Sequence, residues 1–259
     1  MSTGAKILVR PRPRPQASRV LVCLGYSGGG TAPFRPWATQ LPDDMELVLA
    51  CYPGREGRFT EPYATAWDPL CEEVVDAVVT EVATRPYVLF GHSMGAVMAF
   101  EVAARAERRG HGPMALTVSA SEAPTDWPVR DGTPPHLGQS DEELVEWMST
   151  VGQLPPALLA EPELVQMAVS LLRADLTVSD SYRYRPDTTV RAPMQVIYGA
   201  EDGKAPAGNA ERWTPLAAGR VRVDELPGGH FYTPEIWSTF PSRIAALLLP
   251  PVPGGARPL

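Results

Sequence analysis

The stretch that decides the fold of this 259-residue chain is YVLFGHSMGA, residues 87–96. An apolar run precedes a Gly-x-Ser-x-Gly pattern centred on Ser93, and an alanine-rich helical pattern follows and ends before Gly110. A serine between a strand and a helix, with glycines two residues before and after it, is typical of a nucleophile elbow. The small residues let the turn expose the serine above a helix N-terminus, which favours negative charge. The stretch therefore predicts a nucleophilic Ser93 at the carboxyl edge of a sheet.

Short apolar runs alternate with helical patterns along most of the chain. Besides the run before Ser93, we predict strands at residues 20–24, 47–51, 116–120, 194–198 and 220–226. Several of these runs are unbroken, as strands buried on both faces of a parallel sheet are. A helix is predicted at residues 69–83, with Asp68 as its N-cap and Pro69 as its first residue. The alternation predicts an α/β fold with a doubly wound, mostly parallel sheet.

The strand pattern stops at about residues 125–187, where we predict a helical insertion. Ser140 opens a capping box before one helix, at residues 144–151, and a second helical pattern spans residues 162–181. We expect this insertion to be a lid over a pocket, because of its place relative to the motif around Ser93. The alternative is a helical subdomain that only packs.

The 29 prolines indicate how the chain is divided, since they gather near both termini, at element boundaries and in the insertion. We predict a flexible Pro/Arg-rich tail at residues 1–18 and a second flexible tail at residues 250–259. Between them, residues 19–249 are expected to form one α/β domain that carries the insertion.

Composition excludes several classes of protein. The net charge of −7 argues against a protein that mainly binds nucleic-acid phosphates. No apolar run reaches the roughly 18 residues that a membrane span requires. The three cysteines suggest no disulfide framework, and the basic N-terminus lacks the apolar segment of a secretory signal. We therefore expect a cytoplasmic protein, a monomer, that binds neither nucleic acid nor a membrane.

A nucleophilic serine needs a base, and in this type of fold the base follows the last strand. His230 lies there, in the segment PGGHF, and is the predicted base. Of the other histidines, His92 is expected to pack beside the nucleophile. His111 is expected at the surface, and His136 in the insertion is expected to be structural or near the pocket rim.

The acid that orients the base is expected after an earlier strand. Asp202 follows the predicted strand at residues 194–198 and is the preferred candidate. Its neighbour Glu201 is expected to be solvated. Glu122 and Asp126, which follow the preceding strand, are the alternative acids.

Two backbone N–H groups are needed to stabilise the oxyanion. We assign them to Met94, after the nucleophile, and to Ser27 in the glycine-rich segment GYSGGG at residues 25–30. That segment does not fit a phosphate-binding loop, because no Gly-Lys-Ser/Thr follows and Pro33 stands where a dinucleotide motif needs glycine. No grouping of histidine, cysteine and carboxylate has metal-ligand spacing, so we expect no metal.

Together these motifs resemble the type II thioesterases of polyketide and nonribosomal peptide biosynthesis, in the α/β-hydrolase superfamily. The resemblance covers roughly residues 19–249. Beyond the elbow, it rests on the segments LGYSGG (24–29), FRPW (34–37), YPGREGR (52–58), LRAD (172–175), SYRYRP (181–186) and GGHF (228–231).

The resemblance implies an enzyme that hydrolyses acyl groups from the phosphopantetheine arm of acyl or peptidyl carrier proteins, which clears stalled or aberrant intermediates. It implies a triad of Ser93, Asp202 and His230, oxyanion donors at Ser27 and Met94, and a helical lid. No cofactor is implied, because the phosphopantetheine belongs to the carrier protein.

This chain departs from the family pattern at two places. It has Leu24 and Gly25 where the family usually has Phe-Pro, and Ser27 where alanine is common. Because the expected donor at Ser27 is a backbone N–H, a serine there need not abolish activity. Two other functions stay open: a small-molecule esterase or lipase with the same triad, and a catalytically silent binding protein on this scaffold.

Overall fold

The computed structural model describes residues 7–127, 137–203, 208 and 211–248. These residues form a seven-stranded sheet in the order β1-β3-β2-β4-β5-β6-β7. All neighbouring strands are parallel except β1 and β3. The strands are β1 (Leu8–Val9), β2 (Arg19–Leu24), β3 (Met45–Ala50), β4 (Tyr87–His92), β5 (Ala115–Ser119), β6 (Met194–Gly199) and β7 (Val221–Leu226).

The predicted doubly wound α/β fold is confirmed, and six of these strands lie within two residues of their predicted bounds. The helices are α1 (Trp67–Glu81), α2 (Met94–Arg108), α3 (Asp141–Thr150), α4 (Pro156–Leu159), α5 (Pro162–Ser181) and α6 (Pro234–Ser238). Helices α1 and α2 pack against the sheet and contribute their apolar stripes to the larger core. A second core on the other face gathers aromatic rings, among them the stacked pair Trp37 and Phe240 with centroids 5.5 Å apart.

The expectation of a flexible tail at residues 1–18 is wrong for residues 7–18. Leu8–Val9 adds an antiparallel edge strand to β3. The guanidinium of Arg14 donates to the carbonyl oxygens of Pro42 and Met45, 2.7 and 2.9 Å away. Leu8 and Val9 precede the prolines and keep the backbone N–H groups needed to pair with an open sheet edge. The Arg14 guanidinium satisfies carbonyls just before β3 and at its first residue. The predicted tail at residues 250–259 lies outside the described residues, as does His136.

Helix α1 begins two residues earlier than predicted. Its N-cap is Ala66, so the assignment of Asp68 as the cap and Pro69 as the first residue is wrong. Tertiary contacts determine the start, because Trp67 N–H donates to Ser181 Oγ at 2.7 Å. The carboxylate of Asp68 instead accepts from Arg105 of α2.

The insertion is helical in its described part, residues 137–187. The predicted capping box is present: Glu143 N–H donates to Ser140 Oγ, and Ser140 N–H donates to Glu143 Oε2. Helix α5 has the predicted bounds. A separate apolar cluster holds these helices together, formed by Leu144, Met148, Leu154, Val169, Leu172 and Leu176. Among the described helices, none combines the length and the apolar character needed to cross a membrane.

Candidate active site

Ser93 lies in the turn between β4 and α2 with φ 55° and ψ −123°. Its N–H donates to the carbonyl oxygen of Ser119 at 2.8 Å, which ties the turn to β5. A β-carbon at Gly91 would overlap the carbonyl oxygen of Gly95, and one at Gly95 would overlap that of Leu24. The glycines on both sides of Ser93 are therefore required by close backbone packing, and the serine is held in the strained conformation expected of an elbow.

Asp202 and His230 meet at the same edge of the sheet. Asp202 Oδ2 lies 2.9 Å from His230 Nδ1, and the two side chains are 3% and 7% exposed. The loops that carry them touch: Glu201 N–H donates to Gly228 O at 3.0 Å, and a β-carbon at Gly199 would overlap the carbonyls that follow β7. Glu201 itself is exposed, as predicted.

One of the alternative acids is engaged with another side chain. Asp126 pairs with Arg212, with an oxygen–nitrogen distance of 2.5 Å. Glu122 is half-buried after β5. The structure thus brings Asp202 to His230. The remaining described histidine, His111, is partly exposed after the end of α2, and its backbone carbonyl oxygen accepts a hydrogen bond from the Tyr87 hydroxyl.

His92 is fully buried and packs beside His230, with ring centroids 5.2 Å apart. Its Nδ1 lies 3.0 Å from Ser119 Oγ, which in turn lies 2.7 Å from the Tyr232 hydroxyl. Burial holds the pKa of His92 well below its usual value, and the neighbouring His230 lowers it further. His92 is therefore an uncharged ring that packs against His230, as expected from its place in the elbow.

Ser27 and Met94 follow neighbouring parallel strands, since Leu24 of β2 is paired with Gly91 of β4. Met94 begins α2, so its N–H has no acceptor within the helix. The tight contact of Gly95 with the carbonyl of Leu24 joins the two turns. Both predicted oxyanion donors thus lie on turns that leave the same sheet edge.

The oxyanion loop, residues 26–29, is also joined to the turn that carries His230. The ring of Tyr26 meets the ring of Phe231 edge-on, with centroids 4.6 Å apart. Tyr26 also covers Gly29, where a β-carbon would lie 2.6 Å from its ring. The four loops that follow β2, β4, β6 and β7 therefore form one packed unit.

Three residues of this region were given no role from the sequence: Arg55, Gln153 and Asp175. Arg55 and Asp175 nevertheless lie in the segments YPGREGR and LRAD, on which the family resemblance rests. All three contact the oxyanion loop through hydrogen bonds. A signal existed for Asp175, because it lies with Leu172 and Leu176 on the buried stripe of α5. A carboxylate on an apolar stripe indicates a buried partner.

Helix α3 of the insertion lies close to the candidate base. The ring of Trp147 lies 6.5 Å from the ring of His230, centroid to centroid. The insertion is thus close to the candidate base and in direct contact with the oxyanion loop.

The thioesterase domain family matches residues 19–244. This chain belongs to that family. Thioesterase PikA5 from Streptomyces venezuelae is 31% identical over 243 residues, which are 93% of this chain and 84% of that protein.

Solved structures of thioesterases match more than nine-tenths of this chain. The RedJ thioesterase of the prodiginine biosynthetic pathway in Streptomyces coelicolor is 34% identical, with a TM-score of 0.78 over 91% of this chain and 90% of its own. The type II thioesterase BorB of the borrelidin biosynthetic cluster is 33% identical, with a TM-score of 0.82 over 93% and 97%. The resemblance to type II thioesterases is thereby confirmed, and the chain is a thioester hydrolase.

Proposed function

We propose that this thioesterase hydrolyses acyl groups from the phosphopantetheine thiol of acyl or peptidyl carrier proteins. Its role would be to remove stalled or aberrant intermediates in polyketide or nonribosomal peptide biosynthesis, in the cytoplasm, as a monomer without a cofactor of its own. The observation that carries the chemistry is the buried Asp202–His230 hydrogen bond beside the strained Ser93 turn. The biosynthetic setting is supported by the similarity to RedJ of the prodiginine pathway and to BorB of the borrelidin cluster.

In the first half-reaction, His230 takes the proton of Ser93 Oγ as this oxygen attacks the thioester carbonyl. The carbonyl oxygen becomes an oxyanion, which the N–H groups of Ser27 and Met94 stabilise. The intermediate collapses, the C–S bond breaks, and His230 returns its proton to the leaving thiol. The acyl group is then an ester of Ser93.

In the second half-reaction, water gives a proton to His230 and attacks the acyl-enzyme. The tetrahedral intermediate releases the acid, and the proton returns to Ser93 Oγ. Asp202 holds Nδ1–H in both halves, so that the other ring nitrogen faces the serine, and it stabilises the imidazolium. The insertion, which contacts the oxyanion loop and approaches His230, acts as a lid over the acyl chain.

Replacement of Ser93 tests the chemistry. Ser93→Ala should abolish hydrolysis of an acyl group loaded on a carrier protein, because no other hydroxyl stands at the elbow. The matched control is Ser238→Ala on the exposed face of α6, which should keep the wild-type rate. If Ser93→Ala keeps most of that rate, the acyl-enzyme mechanism is wrong.

A second comparison tests the substrate class. The same acyl group is offered on a carrier protein, on coenzyme A and as a simple ester, and kcat/KM is measured for each. We expect the highest value with the carrier protein, whereas a preference for the simple ester would favour the small-molecule esterase. Failure of a fluorophosphonate to label Ser93 would favour a silent binding protein.

A further inference from the structure

A buried ion pair between Arg55 and Asp175 is hydrogen-bonded to the oxyanion loop. Asp175 Oδ2 accepts from Gly28 N–H at 2.7 Å and from Arg55 Nη1 at 2.8 Å, and Oδ1 accepts from Arg55 Nη2 at 2.6 Å. The same Arg55 Nη1 donates to Gly29 O at 2.6 Å. The bidentate pair therefore holds one N–H and one carbonyl of the loop.

This pair is nearly excluded from water, since the side chains of Arg55 and Asp175 are 5% and 3% exposed. A buried ion pair contributes little net stability compared with apolar packing, because both charges lose their hydration. The two parallel hydrogen bonds between Arg55 and Asp175, in contrast, fix the orientation of the carboxylate relative to the guanidinium. The main effect of the pair here is therefore to place the loop rather than to stabilise the fold.

Gln153 holds the loop from the other side. It lies in the turn between α3 and α4, and its Nε2 donates to Ser27 O at 2.9 Å. The reverse orientation of the amide would bring two oxygens together, so the nitrogen must face Ser27 O. Ser27 O and Gly28 N–H belong to one peptide group. Both polar atoms of that group are therefore bound by side chains of the insertion.

The packing around this peptide group leaves it little freedom. Gly28 has φ +74°, and a β-carbon there would lie 2.7 Å from Gln153 Nε2 and 3.2 Å from Leu172 Cβ. Fixing the plane of the Ser27–Gly28 peptide restricts ψ of Ser27. The Ser27 N–H lies on the adjacent peptide, which is joined to this one through φ and ψ of Ser27, so the same contacts restrict its direction.

We propose that Gln153 and Asp175 are positioning residues for the oxyanion hole, which is complete only when the insertion is seated on the loop. The proposal rests on the proposed role of the Ser27 N–H. It makes the insertion part of the catalytic apparatus, so that its movement changes the chemical step as well as access to the pocket.

The test uses Gln153→Ala and Gln153→Glu in the full chain, with an acyl-loaded carrier protein as substrate. Gln153 lies half-buried in a turn, so neither variant opens a cavity in a core. Loss of a whole oxyanion donor costs about 10²–10³ in kcat, and a misdirected donor should cost about 10-fold. We expect that decrease in kcat, with KM within about 2-fold of wild type. Gln166→Ala, exposed on α5 of the same insertion, is the control and should keep both constants.

A pH profile separates positioning from simple support of the fold. In Gln153→Glu the carboxylate cannot donate to Ser27 O, but its protonated form can. The ratio of the variant's kcat to that of wild type should therefore rise as the pH falls toward the carboxyl pKa, ordinarily about 4.3. A residue that only supports the fold would change the unfolding midpoint and leave this ratio constant.

Two results would overturn the proposal: an unchanged kcat in both Gln153 variants, or an effect confined to KM. Ser93→Ala is measured in the same assay. If it is inactive while the Gln153 variants are normal, only the positioning role fails. If Ser93→Ala is active, the proposed function has failed.

Discussion

Asp202 Oδ2 lies 2.9 Å from His230 Nδ1, although 28 positions separate the two residues in the chain. They meet because β6 and β7 are parallel neighbours, with Gly199 paired to Leu226. The turns after these strands leave the same sheet edge and pack without intervening side chains at Gly199. The contact between Asp202 and His230 therefore follows from the order of the strands in the sheet. It leaves Nδ1 of the candidate base hydrogen-bonded to a carboxylate.

Asp202→Asn should lower kcat about 10³–10⁴-fold, because the amide cannot enforce the tautomer or stabilise the imidazolium. The fold should persist, since the substitution is isosteric. Steady-state hydrolysis of an acyl-loaded carrier protein gives the value. Asp126→Asn is the matched control, since Asp126 pairs with Arg212 instead, and it should keep wild-type activity. A reversed pattern would transfer the acid role to Asp126.

His92 should make the protein less stable in acid. Its pKa in the folded state is held well below the usual value by burial and by His230, so only the unfolded state binds this proton as the pH falls. The free energy of unfolding should therefore decrease below about pH 6.5, with a slope from this group of up to about 1.4 kcal/mol per pH unit. No such loss is expected above that pH, where the ring is neutral in both states.

His92→Gln removes the titrating group while leaving an amide that can meet Ser119 Oγ. Urea unfolding at pH 7, 6 and 5 should show a shallower slope for this variant than for wild type. Equal slopes would mean that His92 does not contribute to the acid sensitivity.

Gly91→Ala should destabilise the protein by about 3 kcal/mol or more, because the new β-carbon would overlap the Gly95 carbonyl within the elbow. Thermal or denaturant unfolding checks this value. Gly57→Ala is the control, since no atom lies within 4 Å of its added β-carbon, and it should change stability by less than about 1 kcal/mol. Equal tolerance at both positions would contradict the close packing of the elbow.

Much of the fold could be predicted because its signals are local. Strands buried on both faces appear as unbroken apolar runs, as in β2 and β4. The capping box at Ser140 likewise depends on only four consecutive residues. The edge strand β1 was missed because two residues paired to an open edge have no pattern of their own. The start of α1 was misplaced because Ser181, far along the chain, supplies the partner of Trp67.

The candidate site divides in the same way. Ser93, Asp202 and His230 could be named from the sequence because each follows a recognisable strand in a fixed order. Tertiary structure alone determines the hydrogen bond between Asp202 and His230. It also determines the hydrogen bonds that Arg55, Gln153 and Asp175 make to the oxyanion loop. Local patterns of size and polarity specify turns, strands and helices. The direction of a peptide N–H depends on distant side chains that only the folded sheet and insertion bring into contact.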